Sequence, residues 1–87
     1  MKLLDINNKK FNISCIYKII NDINGKIYIG QAQNLNLRFR EYRRPRAPPK
    51  LMRAFKKYGL DSFSVEIVKI CSINELDKTE QFWLDKL

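Results

Sequence analysis

An Asn-Gly pair at residues 24 and 25 constrains the fold of this chain more than any other feature, because it lies between two short runs of β-branched and aromatic residues. The runs cover residues 16–20 and 26–30. Two such runs around Asn-Gly are typical of antiparallel strands joined by a tight turn. We therefore predict a β-hairpin at this point of the chain.

Hydrophobic spacing and capping residues predict four more elements after the hairpin. They are a helix from the N-cap Asn34 to about Arg44, a helix over 50–58, a strand over 63–70 and a last helix that begins after Ser72 or Asn74. The resulting order is ββααβα. The fold class is therefore α+β, with a small three-stranded, mostly antiparallel sheet flanked by helices.

The chain has 87 residues, enough for one domain with a modest core. We assign residues 15–87 to this domain and residues 1–14 to an N-terminal extension of uncertain structure. The last helix runs into Leu87 without a Gly or Pro stop, which suggests that the domain is part of a longer protein. No apolar run is long enough to span a membrane and no secretory signal is present, so we expect an intracellular protein. A membrane is not among the partners that we expect.

The excess positive charge is concentrated in residues 38–57. This segment holds nine lysines and arginines and one acid, whereas the other 67 residues carry eight lysines and eight acids. Such a distribution is typical of a polyanion-binding surface, with nucleic acid as the leading candidate and an acidic membrane surface as the second. The alternative is a merely solvated basic helix. The expected nucleic-acid contacts are Lys26, Arg40, Arg43, Arg44, Arg46, Lys50, Arg53, Lys56 and Lys57.

Glu80 is the only charged residue on the apolar face of the last helix. On a helical wheel it falls near the middle of an arc of about 100° that contains Ile73, Leu76, Trp83, Leu84 and Leu87. A carboxylate on a core-facing stripe is costly unless it is paired or bound to a cation. Glu80 is therefore either half of a structural salt bridge or a metal ligand, and the helical pattern favours neither.

The first helix places an arginine beside its apolar face. Leu35, Phe39 and Tyr42 form that face, and Arg38 lies at its edge, directed toward the sheet. A guanidinium in this position can bind a phosphate through two hydrogen bonds, or its stem can simply cover the edge of the core. The second helix buries Leu51, Ala54, Phe55 and Tyr58, which leaves its cations outside as phosphate contacts.

The two tyrosines of the hairpin, Tyr17 and Tyr28, share one face whether the turn is at Asn24-Gly25 or is centred between residues 22 and 23. Cross-strand aromatic packing alone explains such a pair. Together with Arg38, Tyr42 and Glu80, however, the tyrosines supply a proton acceptor, a positive group and a metal ligand. These are the groups that phosphodiester hydrolysis requires. Histidine is absent, which excludes His-based triads, zinc sites and imidazole bases.

Five segments, in order, resemble the GIY-YIG nuclease domain of homing endonucleases, repair nucleases and restriction enzymes. They are "CIY" at 15–17, "YIG" at 28–30, "NLNLRFREY" at 34–42, "LMRAFKKYG" at 51–59 and "ELDKTEQFW" at 75–83. Cys15 replaces the usual glycine of the first motif, and Tyr42 stands where members of the family have His or Tyr. Ten residues separate the two signature tyrosines.

The resemblance implies a role for each candidate residue. Arg38 corresponds to the catalytic arginine of the family and Glu80 to its single metal-binding carboxylate, which usually holds magnesium. Tyr17 corresponds to the proposed general base, so nearby positive charge from Arg38, Lys26 or metal must lower the pKa of its phenol. Tyr28 and Tyr42 orient the water or the phosphate.

We therefore expect an endonuclease that hydrolyses DNA phosphodiester bonds with Mg²⁺ or another divalent cation such as Mn²⁺. An additional DNA-binding domain or a partner chain would supply sequence specificity, because so small a domain has little surface for reading bases. The alternative is a non-catalytic nucleic-acid-binding module of the same fold, which would bind DNA without metal dependence or nicking.

Overall fold

The computed structural model describes residues 1–43 and 48–86, and its elements follow the order ββααβα. The elements are the strands β1 (Cys15–Asn21), β2 (Ile27–Ala32) and β3 (Phe63–Ile70) and the helices α1 (Leu35–Tyr42), α2 (Pro49–Tyr58) and α3 (Leu76–Lys86). β1 is the central strand and pairs antiparallel with both neighbours. The predicted fold class is confirmed. The expected helix end near Arg44 and the expected core residue Leu87 lie outside the described residues.

The loop between β1 and β2 has four residues, 22–25, and both predicted registers of the hairpin are wrong. The N–H of Asn21 donates to the carbonyl of Lys26 at 2.9 Å, and the N–H of Gly25 donates to the carbonyl of Asn21 at 2.8 Å. The side chain of Asn21 fixes this turn because its Oδ1 accepts from the N–H of Ile23 at 2.9 Å. Gly25 has a φ of 76°, a conformation that residues with a Cβ rarely adopt.

Tyr17 and Tyr28 nevertheless share one face of the hairpin, as predicted. Tyr28 lies opposite Ile19, and Tyr17 lies opposite Gly30. Side chains alternate along a strand, so residues 17 and 19 point to the same side of the sheet. The two phenols are therefore diagonal neighbours.

The main core lies between this face of the sheet and the helices α1 and α2. A series of aromatic rings crosses it, with centroid distances of 5.1 Å from Tyr17 to Phe39 and 5.2 Å from Phe39 to Tyr42. The series continues through Phe55, at 6.2 Å from Tyr42, to Phe63 of β3, at 4.9 Å from Phe55. The predicted buried residues of the two helices are confirmed: Leu35, Phe39, Tyr42, Leu51, Ala54 and Phe55, with Tyr58 half-buried against them.

Helix α3 packs on the other face of the sheet, beside the edge strand β2. Gln31 follows Gly30 and so points away from the Tyr17 face, and its side chain is hydrogen-bonded to α3. The predicted apolar stripe is confirmed only in part, because Leu76 is buried but Ile73 and Leu84 are exposed. Ile73 belongs to a 3₁₀ turn with a different angular spacing, and an edge strand supports only part of a helix face.

Residues 1–14 are tied to the sheet and the core. Leu3, Ile6 and Phe11 are buried in the core cluster. Lys2 forms a bridge with the edge of β3 and an ion pair of 2.6 Å with Asp22. No helix within the described residues is long and apolar enough to cross a membrane.

Candidate active site

A buried pair of hydroxyl groups lies at the centre of the candidate site. Tyr17 of β1 and Tyr42 of α1 share a hydrogen bond of 2.5 Å between their hydroxyl oxygens. Their side chains are 2% and 8% exposed, respectively. The ring of Phe39 packs against both of them and holds α1 at the distance that this bond requires. The bond thus links the first strand to the first helix.

Gly30 leaves the space that the ring of Tyr17 occupies. Tyr17 lies opposite Gly30 in the hairpin, and a Cβ atom at Gly30 would be 2.6 Å from the Tyr17 hydroxyl oxygen. Real side chains do not approach so closely. The glycine of "YIG" is therefore required by the position of the phenol on the neighbouring strand.

The pKa of Tyr17 is raised, and burial is the main cause because it disfavours the phenolate. The neighbouring hydroxyl of Tyr42 raises this pKa further, and the charge of Glu80 acts in the same direction. The guanidinium of Arg38 lowers it, but by less than burial raises it. Arg38 lowers the pKa of Tyr17 as predicted, but burial outweighs it, so the described protein groups do not give the net lowering that a general base requires.

Three tyrosines meet in one small cavity of about 190 Å³. Tyr17, Tyr28 and Tyr42 line it together with Gly30 and Lys50. Tyr28 is half-buried, so its ring forms part of the cavity surface. The cavity therefore joins both signature tyrosines to one of the predicted phosphate contacts, Lys50.

Glu80 is half-buried and forms no ion pair with any lysine or arginine that the structure describes. Its polar contact is with the side-chain amide of Gln31, which donates to Glu80 Oε1 at 3.4 Å and to Asp77 Oδ1 at 2.6 Å. Asp77 precedes Glu80 by three residues on α3, so the two carboxylates lie on neighbouring positions of the helix surface. Over the described residues, the salt-bridge interpretation of Glu80 thus has no support.

This arrangement fits a hydrated divalent cation. No group of three or more acidic, histidine or cysteine side chains that could enclose a metal occurs in the described part of the chain. Mg²⁺ does not need such a group, because it keeps several waters and is commonly bound through one or two carboxylates. Glu80, half-buried and without a cationic partner among residues 1–43 and 48–86, is the carboxylate that fits this role.

Arg38 is exposed, although the helical pattern directs it toward the sheet. It lies on α1 one turn before Tyr42, and its charge acts on the Tyr17 hydroxyl. The charges of Arg38 on α1 and Glu80 on α3 therefore both act on the pKa of the same buried phenol, in opposite directions. Because its head group is in solvent, Arg38 is accessible to a phosphate of a bound substrate.

The predicted phosphate contacts that the structure describes fall into three groups. Lys26, Lys50, Arg53 and Lys57 line one groove of about 510 Å³, whereas Arg40 and Lys56 are exposed outside it. Arg43 donates from Nη1 to the carbonyl of Ile6 at 2.9 Å and thereby connects α1 to the N-terminal segment. Arg44 and Arg46 lie outside the described residues.

Sequence reasoning missed Gln31 and Asp77. Gln31 directly follows the "YIG" segment, and Asp77 lies three residues before Glu80, so both positions were adjacent to predicted site residues. The missing information was which strand lies beneath α3. That is a matter of tertiary packing and leaves no mark on the periodicity of either element.

The sequence model of the GIY-YIG catalytic domain matches residues 13–87 of the chain. The chain belongs to the GIY-YIG family. Its structure is similar to the catalytic domain of the homing endonuclease I-TevI, with a TM-score of 0.73 and 27% identity over 85% of this chain and 87% of that one. A mutant of the catalytic domain of the intron endonuclease I-TevI gives a TM-score of 0.75 and 27% identity over 86% of this chain and 84% of that one. No curated protein matches the chain.

Membership of the GIY-YIG family and the likeness to I-TevI make this chain a nuclease domain with the fold of a homing-endonuclease catalytic domain. The two sequence segments after which the family is named, here "CIY" and "YIG", lie on the paired strands β1 and β2. Their tyrosines face one cavity and the glycine of the second accommodates the phenol of the first. The motif thus describes a packing arrangement as well as a set of chemical groups.

Proposed function

We propose that this chain is a metal-dependent endonuclease domain that hydrolyses DNA phosphodiester bonds. The observation that supports this most is the buried Tyr17–Tyr42 hydroxyl pair, which lines one cavity with Tyr28. The charges of Arg38 and Glu80 both act on the phenol of Tyr17. Hydrolysis of a phosphodiester needs a positive group for the developing charge, a metal ligand and polar groups that position water. These functions fall to Arg38, to Glu80 and to the three tyrosines of the cavity.

Tyr17 acts in its protonated form in this proposal. Burial raises the pKa of Tyr17, so the phenol retains its proton at neutral pH. A neutral hydroxyl can accept a hydrogen bond from a water while it donates to Tyr42, or it can donate to the water while it accepts from Tyr42. The Tyr17–Tyr42 pair therefore orients the attacking water or a phosphate oxygen, and Tyr28 forms the adjacent side of the cavity.

Glu80 would hold Mg²⁺ or Mn²⁺, with Gln31 and Asp77 positioning its carboxylate. The cation, when bound, supplies positive charge that stabilises the phosphate oxygens and the leaving oxygen. Arg38 contributes the charge that the chain itself provides, through hydrogen bonds that are strongest when the phosphate is most negative. Arg38 and the cation held by Glu80 would thus both act on the phosphate of the substrate.

The metal assignment is tested with Glu80→Gln in a plasmid-nicking assay with Mg²⁺ and with EDTA. Glu80→Gln keeps the size of the side chain but removes its charge, so we expect nicking to fall at least about a hundredfold, as for other losses around a metal site. Glu75→Gln is the matched control, because Glu75 is exposed on the turn before α3 and bonds to Ser72. Undiminished nicking by Glu80→Gln would refute the assignment.

The role of Arg38 is tested against Arg40 of the same helix. Arg38→Ala should lower kcat far more than DNA affinity, because the groove cations supply most of the binding. Arg40→Ala, which removes an exposed charge outside the groove, should change affinity and leave kcat in place. Equal losses of affinity and kcat in Arg38→Ala would make Arg38 only a phosphate anchor.

A second candidate function, a non-catalytic nucleic-acid-binding module, is favoured by one observation. The groove that contains Lys26, Lys50, Arg53 and Lys57 is lined by neither Arg38 nor Glu80, so it can bind a polyanion without the catalytic groups. Salt-sensitive DNA binding without any Mg²⁺-dependent nicking would support this function. In either case we expect residues 1–87 to bind or cut DNA without sequence preference. Cleavage at one unique site would show that specificity does not require a further domain or a partner chain.

A further inference from the structure

A groove beside α2 combines cations with aromatic rings. Lys26 of the hairpin and Lys50, Arg53 and Lys57 of α2 line this space of about 510 Å³. The three residues of α2 are spaced three and four apart, so they lie on one face of the helix. Tyr28 and Tyr58 line the same space, which we call the α2 groove.

The α2 groove adjoins the tyrosine cavity. Tyr28 and Lys50 line both spaces, so they mark the junction between them. Phosphates bound by the cations of the groove would therefore lead toward the cavity that Tyr17, Tyr28 and Tyr42 line. Among the described residues, no Asp or Glu lines the groove, so no carboxylate there would repel a phosphate.

Tyr58 is held in place at the end of the groove away from Lys50. Its hydroxyl accepts a hydrogen bond of 3.3 Å from the side-chain amide of Asn24, and the ammonium group of Lys57 lies 5.3 Å from its ring centroid. The hydrogen bond joins the hairpin loop to the C-terminal end of α2. An aromatic ring fixed among lysines is suited to stacking against a base whose phosphates bind the cations.

Unpaired bases fit this arrangement better than a duplex. In a duplex the faces of the bases are stacked on one another, so they are not accessible to a protein ring. A charged groove with aromatic side chains is the usual design of a surface for a single strand. A duplex would contact only the cations and would leave the ring of Tyr58 without a base to stack on.

We propose that the α2 groove binds one unpaired nucleic-acid strand next to the phosphate that is cut, with its phosphates on Lys26, Lys50, Arg53 and Lys57 and a base on Tyr58. The position beside the cut phosphate rests on the proposed function, whereas strand binding itself does not. The substrate class is then DNA with an unpaired segment at the cleavage point, such as a frayed or branched end.

The experiment measures binding of a fluorescently labelled oligothymidylate and of a duplex of equal length, by anisotropy over a range of salt concentrations. EDTA and the Glu80→Gln background prevent cleavage. The variants are Lys57→Gln, Arg53→Gln and Tyr58→Leu, with Lys69→Gln on β3 as the control that removes an exposed lysine elsewhere. Circular dichroism checks that Tyr58→Leu is folded, and Lys57→Gln tests the groove independently because it changes only an exposed side chain.

We expect the single strand to bind more tightly than the duplex. Lys57→Gln and Arg53→Gln should each reduce the slope of log affinity against log salt by about 0.7, and Tyr58→Leu should weaken binding about fivefold or more with little change in that slope. Lys56→Gln, on the same helix but outside the groove, should have a smaller effect than Lys57→Gln. Lys69→Gln should have none.

Tighter binding of the duplex, or equal losses from Lys56→Gln and Lys57→Gln, would overturn the proposal. The first result would mean that the groove contacts the phosphates of a duplex. The second would mean that binding depends on the overall positive charge of α2 and not on the groove. A protein that nicks DNA but whose groove variants bind normally refutes the groove and leaves the nuclease in place. A protein that binds strands through the groove but never nicks refutes the nuclease and leaves the groove in place.

Discussion

Replacing the hydroxyl of Tyr42 should destabilise the fold much more than replacing both hydroxyls of the Tyr17–Tyr42 pair. Tyr42→Phe leaves the hydroxyl of Tyr17, in a side chain only 2% exposed, without its partner. A buried polar group without a hydrogen bond costs about 1–3 kcal/mol. Removal of both hydroxyls leaves no unpaired group, and such double replacements are often nearly neutral.

The magnitudes follow from the burial of each partner. Tyr42→Phe should cost about 2 kcal/mol and lower Tm by about 8–16 °C in a domain of this size. Tyr17→Phe should cost less, about 1 kcal/mol, because Tyr42 is more exposed and its hydroxyl is nearer to solvent. The double variant should cost less than Tyr42→Phe alone. The coupling energy between the two hydroxyls is then about 1–3 kcal/mol.

Urea unfolding followed by circular dichroism measures the four free energies of the cycle. The m-values should stay constant, so that shifts of the midpoint report stability alone. Tyr58→Phe is the control, since its hydroxyl bonds to Asn24 at the surface and its loss should change stability by less than about 0.5 kcal/mol. If the costs of the two single variants simply add up to that of the double variant, the two hydroxyls do not form the buried bond and the geometry of the site is different.

Three further predictions follow from the same region. Burial raises the pKa of Cys15 to about 11 and also raises the pKa of Tyr17, so the folded state keeps protons that the unfolded chain loses at high pH. The free energy of unfolding in urea should therefore fall above pH 9, the ordinary pKa of Cys, and fall further above pH 10, the ordinary pKa of Tyr. In Cys15→Ala this free energy should depend less on pH between pH 9 and 11. Gly30→Ala should displace the phenol of Tyr17 and lower the free energy of unfolding by about 1–3 kcal/mol in the same assay. It should also reduce nicking, and normal nicking by this variant would show that the position of the phenol is not critical. Because Gln31 positions the carboxylate of Glu80, Gln31→Ala should raise the Mg²⁺ concentration for half-maximal nicking about tenfold without a change in strand binding. An unchanged Mg²⁺ titration would rule out that role.

Local patterns were sufficient to predict the elements and several of the site residues. Asn34 caps α1 through its side chain, which accepts from the N–H of Leu37 at 3.1 Å, and Gly59 ends α2 with a φ of 84°. These features depend on residues a few positions apart in the chain, and the sequence displays them directly. The shared face of Tyr17 and Tyr28 depends only on the alternation of side chains, so it was robust to an error in register.

The register and the electrostatics of the site could not be predicted in the same way. The four-residue loop depends on the side chain of Asn21, which is fully buried and hydrogen-bonded to the loop, and Asn-Gly alone suggests a shorter turn. The raised pKa of Tyr17 depends on burial by α1 and on the hydroxyl of Tyr42, which lies 25 residues away. Such properties arise when elements pack together, and residue types within one element do not reveal them.

The topology explains how charges from two different helices can act on one buried phenol. Arg38 comes from α1, which packs on the Tyr17 face of the sheet, and Glu80 comes from α3, which bonds to Gln31 on the opposite face. β2 is the edge strand, so groups from the two faces can approach each other around it. Gly30 lies on this strand opposite Tyr17, whose ring occupies the space that a side chain at Gly30 would fill. We therefore expect substitutions on β2 to impair nicking more than equally conservative substitutions on β3, the other edge of the sheet.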